Sequence, residues 1–412
     1  METAILPNGL RIILRHTASP VVYCGYCVAG GTRNEQKDEY GIAHLCEHLT
    51  FKGTHERDSM RILCELEEVG GELNAFTTKQ DTVYYSAILK EHTERAACLL
   101  TDIVFHSVYP EEEILKEREV VCDEIESYND NPSELIFDEF ESRLFTDHDL
   151  GHNILGEADQ VRTYCHDNAV AFTKRYYRPE NSVFFVDGDI EMDYIVSLIS
   201  RLTSDFPMAE PIINTKLTTD MMAAPIPYTP YNDIIHQPTH QAHVAVGNRG
   251  FGMHDDRRHV LYLANNILAG PGMNSWLNLS LRERHGLVYT VYGSRMCYTD
   301  TGLWFVYFGC DPSDIDKCLQ LVRSDLDRLI DEPLDEAALA AAKRQIKGQI
   351  AVGYDHRENY AIGMGRHFLH TNECHSIEEL FIQVDGITAL ELQKMASEVF
   401  SAATMSQLTI MS

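Results

Sequence analysis

The sequence predicts an α+β protein built from two homologous halves, each a mainly antiparallel sheet covered by helices. The chain has 412 residues, which exceeds the usual size of one domain and favours at least two hydrophobic cores. A proline-rich stretch from Pro207 to Pro238 shows little apolar periodicity and indicates an extended linker. Strands followed by long helices occur in the same order on both sides of it. We therefore expect an N-terminal domain of residues 1–208, a linker of residues 209–234 and a C-terminal domain of residues 235–412.

The first element is a strand pair about an Asn8-Gly9 turn over residues 5–14, and a strand over residues 21–28 follows. Each half then contains an apolar helix, a charged helix that ends at glycine, two alternating strands and two long helices. In the first half these elements are predicted at residues 41–51, 63–70, 73–77, 82–89, 91–105 and from 111 onwards. In the second half they are predicted at residues 259–268, 279–286, 287–292, 303–309, 313–330 and from 335 onwards. Short helices at residues 189–202 and 389–400 close the two halves in matching positions.

The formal net charge of −29 argues against nucleic acid and anionic membranes as partners, because phosphate groups would be repelled. No apolar stretch approaches the ~20 residues that span a bilayer. The first ten residues lack the pattern of a signal peptide. The eleven cysteines are an odd number without disulfide-framework spacing. Reduced thiols and a cytoplasmic location are the simplest interpretation.

One pair of cysteines, Cys24 and Cys27, has the spacing of a redox motif. The surrounding apolar run over residues 21–28 predicts a strand, on which positions three apart point to opposite faces. The two sulfur atoms then cannot form a disulfide, and a thioredoxin-like motif would place the second cysteine in a helix. We therefore interpret both cysteines as structural residues.

The motif that carries chemistry is His44-Leu-Cys-Glu47-His48, within the predicted helix of residues 41–51. Residues four apart share a helix face, so the two histidines can bind one Zn²⁺ ion, and Glu47 lies on the same side. Glu47 can take a proton from a metal-activated water, and the order His-x-x-Glu-His is that of the inverted zinc-protease motif. Two histidines on a solvated face are the alternative, which the mostly apolar surroundings disfavour.

A third ligand must come from elsewhere, and the glutamate-rich segment 117–126 supplies candidates. Glu117 and Glu124 are seven residues apart, which is two helical turns, and they project from one face. Valines between them indicate that this face points inward, although most glutamate-rich helices simply face water.

All five candidate residues are replaced in the second half when the helices are aligned without gaps. His44, Glu47, His48, Glu117 and Glu124 stand opposite Tyr262, Asn265, Asn266, Ala341 and Gly348. One half keeps the whole set and the other has lost it, as expected for members of a single site.

In these residues the chain resembles the pitrilysin-type zinc metallopeptidases, and within them the mitochondrial processing peptidase-like branch. The resemblance spans nearly the whole chain and is carried by residues 41–54, 71–85, 117–128 and 281–292. It implies that the zinc ligands are His44, His48 and a glutamate about 76 residues beyond the second histidine, where Glu124 stands. It further implies one zinc ion per chain, Glu47 as general base, Glu117 as an auxiliary acid near the metal, and a clamshell of two halves.

The resemblance also assigns residues to the substrate. Arg282 and Tyr289, seven apart in the metal-free half, match a pair that positions substrate and stabilises the oxyanion, a role that a phenol donor can fill. Asn74, Ala75 and Phe76 match an edge strand that holds an extended peptide. Phe76 can equally be a core residue of a central strand.

The sequence therefore predicts a zinc metalloendopeptidase that hydrolyses short or unfolded peptides. In relatives of similar length two half-sites meet in a homodimer, so we expect Arg282 and Tyr289 to complete the zinc site of the partner chain. A catalytically silent scaffold or partner subunit of the same family is the alternative. A structural zinc module is disfavoured, because such sites are closed by four protein ligands, mostly cysteine.

Overall fold

A computed structural model describes residues 1–209 and 228–412 of the chain. In this part the strands are β1 (Glu2–Ile5), β2 (Arg11–His16), β3 (Val21–Val28), β4 (Glu72–Thr77), β5 (Thr82–Leu89), β6 (Ser182–Gly188), β7 (Asn232–His236), β8 (Ala242–Gly250), β9 (Val288–Cys297), β10 (Gly302–Cys310) and β11 (Ser406–Met411). The helices are α1 (Ile42–Thr50), α2 (Ser59–Glu67), α3 (Thr93–His106), α4 (Glu111–Asn129), α5 (Pro132–Leu144), α6 (Ala158–Val161), α7 (His166–Tyr176), α8 (Met192–Leu202), α9 (Arg257–Ala269), α10 (Ile315–Asp331), α11 (Glu336–Asp355), α12 (Arg357–Thr371), α13 (Ile377–Gly386) and α14 (Ala389–Val399).

The strands form two sheets. The first has the order β1-β2-β6-β3-β5-β4 and the second the order β7-β11-β8-β10-β9. Every pair of neighbours is antiparallel except β2 with β6 and β7 with β11. Without β1, the two sheets therefore repeat one topology, with the parallel pair in the same place. The predicted α+β fold of two similar, mainly antiparallel sheets covered by helices is confirmed.

Internal contacts divide the described residues into two compact units. The first unit contains residues 1–127, 152–209 and 353–374, and the second contains residues 128–151, 228–352 and 375–412. The units do not follow the two halves of the sequence, because one helix from each half packs on the sheet of the other half. In the first unit α12 packs on β3 and β6, and in the second α5 packs on β8 and β11.

Apolar side chains explain this exchange. In the first unit Ala361 and Phe368 of α12 are buried against Val183 and Phe185 of β6. In the second unit, buried residues of α5 pack in the same way on the inner strands. Neither α5 nor α12 was predicted from the sequence. The linker predicted at residues 209–234 lies mostly outside the described residues, and the boundaries at 208 and 235 stay a prediction.

Several local predictions are confirmed. Strands β3 and β5 have the predicted bounds, and α1 begins and ends within one residue of them. Cys24 and Cys27 are buried free thiols on β3, and burial raises the pKa of the Cys24 thiol to about 12. The segment predicted as a charged helix at residues 279–286 is helical, with π-helical winding over Asn278–Arg284. Among the described residues, no helix combines the length and apolar character needed to cross a membrane.

Candidate metal centre

The metal-binding motif lies on a short, almost wholly buried helix. Ile42, Leu45 and Leu49 of α1 are fully buried, which fixes the helix in the core of the first unit. His44 and His48 consequently project from one common face, and 4.7 Å separates their ring centroids. This arrangement is the one that their spacing predicted.

Helix α4 brings the predicted carboxylate to the two histidines. Glu124 Oε2 lies 3.9 Å from His44 Nε2 and 3.7 Å from His48 Nε2. One ligand atom of each of the three residues lies within 4.8 Å of the other two. The structure therefore brings together the three residues that the sequence predicts as metal ligands.

These residues fit a zinc ion. Zinc lies about 2.0–2.2 Å from imidazole nitrogen and carboxylate oxygen, so two ligands of one ion are separated by at most ~4.4 Å. Both nitrogen–oxygen distances to Glu124 are shorter than this limit. Burial, together with the neighbouring His48, lowers the pKa of His44 to about 3, so its imidazole is neutral at pH 7. A neutral imidazole is the form that binds a metal.

Glu117 contacts one of the ligands rather than the space between them. Its Oε2 lies 3.2 Å from His48 Nδ1, and its Oε1 accepts from Lys52 Nζ at 2.7 Å. Burial alone would raise the pKa of Glu117, but the hydrogen bonds from His48 and Lys52 outweigh it and lower this pKa. A carboxylate on the second nitrogen of a metal-binding histidine fixes the ring orientation and its tautomer. Lys52 was not predicted, although it follows His48 by four residues.

Glu47 is held by a residue from a different element. Its Oε2 accepts a hydrogen bond of 2.6 Å from Thr77 Oγ1, at the end of β4. Burial raises the pKa of Glu47, and the Thr77 hydrogen bond partly offsets this effect. A carboxylate with a raised pKa and a fixed orientation is suited to accepting a proton. Thr77 was also missed, although it directly follows the predicted substrate residues.

The predicted substrate residues lie on an edge strand. β4 is the last strand of its sheet and pairs with β5, where Asn74, Ala75 and Phe76 stand opposite Tyr85, Tyr84 and Val83. Asn74 is exposed, whereas Ala75 and Phe76 are half-buried. The alternative that Phe76 belongs to a central strand is therefore wrong.

Arg282 and Tyr289 belong to the second unit, whereas the metal ligands belong to the first. Arg282 lies in the π-helical stretch and Tyr289 on β9, with 5.6 Å between the guanidinium carbon and the tyrosine ring centroid. The Tyr289 side chain is 81% exposed, so its phenol group is accessible.

In the second unit, Asn265 occupies the position that aligns with Glu47, and its side chain serves packing. Asn265 Oδ1 accepts from Trp304 Nε1 at 2.9 Å, and Asn265 Nδ2 donates to the Gly293 carbonyl oxygen at 3.2 Å. Both hydrogen bonds tie α9 to the strands beneath it. The amide therefore has a structural role where the first unit has a carboxylate.

Known proteins resemble the chain over nearly its whole length. An uncharacterized zinc protease of Mycobacterium leprae is 31% identical over 402 residues, which cover 96% of this chain and 88% of the relative. The uncharacterized zinc protease YmxG of Bacillus subtilis is 27% identical, with 96% of this chain and 94% of the relative covered.

Solved structures share the fold. A protease from Helicobacter pylori superposes with a TM-score of 0.88 at 20% identity and covers 100% of this chain and 99% of its own. A peptidase M16 inactive domain from Pseudomonas fluorescens gives a TM-score of 0.87 at 18% identity, with 100% and 97% covered.

Two family models match in sequence. Residues 11–158 match the insulinase family, peptidase family M16, and residues 166–346 match the peptidase M16 inactive domain. The resemblance to pitrilysin-type peptidases is confirmed at this level, while the mitochondrial processing peptidase-like branch stays a prediction. The sequence relatives and the matched families together show that the chain belongs to the insulinase family of peptidases, M16.

Proposed function

We propose that the chain is a zinc metalloendopeptidase of the mitochondrial processing peptidase-like branch, with one zinc ion per chain. The observation that carries this proposal is the convergence of His44, His48 and Glu124 beside the oriented carboxylate of Glu47. Two imidazoles and one carboxylate leave a coordination position open, which distinguishes a catalytic zinc site from a closed structural one.

Each residue then has a defined role. A bound zinc ion supplies Lewis acidity, which polarises the scissile carbonyl group and acidifies water. Glu47 accepts the proton of the attacking water and passes it to the leaving amine, while Thr77 holds the carboxylate in place. Glu117 orients His48 through Nδ1, so we assign it a positioning role instead of the auxiliary acid role that the resemblance implied.

The edge strand β4 supports the proposed substrate class. An extended peptide can add to β4 through backbone hydrogen bonds at Asn74, Ala75 and Phe76. A folded protein rarely offers a free extended segment, so the preferred substrates are short or unfolded peptides. Thr77 ends this strand and contacts Glu47, so a peptide added to β4 would lie next to the proposed general base.

We further propose that the enzyme is a homodimer in the cytoplasm, in which Arg282 and Tyr289 complete the zinc site of the partner chain. The accessible Tyr289 phenol is a suitable donor for the oxyanion. The eleven free cysteines agree with a reducing compartment.

The proposal is tested by zinc content and cleavage of a quenched mixed-peptide library. The wild type should contain one zinc per chain, lose activity to a chelator and regain it with Zn²⁺. Glu124→Gln should lose zinc and activity together, because it removes a ligand. Zinc binding without cleavage in the wild type would instead support the silent scaffold or partner subunit, and a wild type without zinc would contradict the metal centre.

A further inference from the structure

The N-terminus of α1 is capped by a residue from outside the helix. Gly41, which precedes the helix, adopts a φ of +88° and has no side chain that could cap it. Glu35 fills this role, since its Oε2 accepts from the Gly41 amide at 3.0 Å and its Oε1 from the Ala43 amide at 2.8 Å. One carboxylate thus satisfies two amides that the first turn of a helix leaves without intrahelical partners.

A histidine holds this carboxylate in place. His152 Nε2 lies 3.0 Å from Glu35 Oε2 and 2.9 Å from the Thr32 carbonyl oxygen. Both neighbours are acceptors, so Nε2 carries the proton. The His152 ring stacks on Tyr40 with 4.0 Å between centroids, and Lys79 Nζ donates to the His152 carbonyl oxygen.

The cluster is buried and adjoins the metal-binding motif in sequence. The Glu35 side chain is fully buried and the His152 side chain is 9% exposed. Ala43, whose amide Glu35 holds, directly precedes His44, and Glu47 follows one turn later. A displacement of the first turn of α1 therefore moves a zinc ligand and the general base together.

We propose that Glu35, held by His152, is a positioning residue that fixes the first turn of α1 and thereby aims His44 and Glu47. This inference rests on the proposed zinc peptidase function. Glu35 acts through the helix backbone, so its loss changes the geometry of the site and leaves peptide binding at β4 intact.

The test is Glu35→Gln. This variant is nearly isosteric, but its NH2 group faces one of the two amides in either orientation, so one hydrogen bond is replaced by a donor–donor contact. We expect zinc affinity, measured by competition with a fluorescent chelator, and kcat each to fall about 10-fold while KM stays unchanged. Hydrogen exchange of the amides of residues 41–45 should also become faster in the zinc-free protein.

Thr101→Val is the matched control. It removes a buried hydroxyl that lies 2.9 Å from the Tyr26 hydroxyl in the same unit, so it should lower Tm without changing zinc affinity. The inference would be overturned if Glu35→Gln left both amide hydrogen exchange and zinc affinity unchanged. It would also be overturned if Thr101→Val lost as much zinc affinity as Glu35→Gln. A wild type that binds zinc without cleaving peptides would contradict the peptidase function alone, because exchange and zinc affinity would still decide the role of Glu35.

Discussion

At the residue scale, the proposed general base, Glu47, depends on a hydroxyl group from another element. Thr77 Oγ1 donates to Glu47 Oε2 at 2.6 Å, and this contact joins the helix of the metal motif to the edge strand. Hydrogen bonds to charged groups contribute roughly 1.5–3 kcal/mol. The orientation and the pKa of Glu47 should both change when this donor is removed.

Thr77→Val removes the hydroxyl and keeps the shape of the side chain. We expect kcat/KM to fall about 10-fold at pH 7 with unchanged zinc content, which corresponds to a loss of ~1.4 kcal/mol. The hydrogen bond lowers the pKa of Glu47, so its loss raises this pKa and moves the acidic limb of the kcat/KM profile to higher pH. Thr77→Ser keeps the donor and should retain the wild-type profile. Equal profiles for all three proteins would exclude a role for Thr77.

Residue spacing predicted the two histidines, and the resemblance added Glu124, but two residues that contact the site, Lys52 and Thr77, were not predicted. His44 and His48 share a helix face by periodicity, and Glu124 follows from the resemblance and from its place on α4. Thr77 reaches Glu47 only through tertiary folding, because it lies 30 residues away along the chain. Lys52 is close to His48 in sequence, but its contact is with Glu117 on a different helix, so its spacing alone did not reveal it. Glu117 was predicted near the metal, while its contact with His48 Nδ1 depends on how α4 folds onto the rest of the unit.

At the element scale, α12 is anchored on the first sheet by a buried carboxylate. Asp81, in the turn between β4 and β5, is fully buried and accepts from Arg366 Nε and His370 Nε2, each at 2.7 Å. Burial alone would raise the pKa of Asp81, but His370 and Arg366 outweigh it and lower this pKa. Arg366 and His370 therefore stabilise the ionised form of Asp81. Their contacts with it also fix the turn that follows Thr77.

Asp81→Asn should lower the free energy of unfolding by about 2 kcal/mol at pH 7, because it replaces a buried, charged acceptor of two hydrogen bonds with a neutral amide. The folded-state pKa lies below the unfolded value of about 3.9, so this stability is present above that pH. This stability is lost as the pH falls through the folded-state pKa of Asp81. The difference in the free energy of unfolding between the wild type and Asp81→Asn should therefore narrow only below about pH 4. Urea unfolding at several pH values measures this difference.

Asp189→Asn provides the control for that experiment. It breaks an exposed pair with Lys90, whose atoms lie 2.7 Å apart, and should leave stability nearly unchanged. A loss in Asp81→Asn no larger than in this control would contradict the anchoring role.

Elements with strong periodicity were predicted well, and elements stabilised by distant packing were not. The apolar runs of β3 and β5 fixed their bounds, since each strand is mostly buried. α12 has mixed polar and apolar residues, and only its contact with the first sheet shows why it is helical there. The exchange of α5 and α12 depends on tertiary packing, which a pattern along the sequence does not contain.

At the scale of the whole molecule, one topology occurs twice, and one copy carries the three residues that we propose as metal ligands. The strand orders of the two sheets match, and Asn265 replaces Glu47 with an amide that serves packing. The second copy is therefore free to take a different role. We assign it the Arg282 and Tyr289 pair.

The proposed homodimer predicts complementation between two inactive variants. Arg282→Ala lacks the proposed substrate-positioning arginine, and Glu47→Gln lacks the proposed general base. In a mixed dimer, one of the two sites has both residues intact. Equal mixing makes about half of the dimers mixed, so activity should recover to about a quarter of the wild-type value. Light scattering would show whether the chains are dimeric, and a subunit-exchange assay would show whether mixed dimers form. Absence of recovery after confirmed exchange would contradict completion of the site in trans.

The most direct test of the central claim is zinc content with peptide cleavage in Glu47→Gln. This change leaves His44, His48 and Glu124 intact, so one zinc per chain should remain while cleavage falls about 10²–10⁴-fold. Glu119→Gln, an exposed substitution on α4, should keep both zinc and activity. Cleavage by Glu47→Gln at the wild-type rate, or zinc absent from all three proteins, would contradict the assignment of this cluster as a catalytic zinc site.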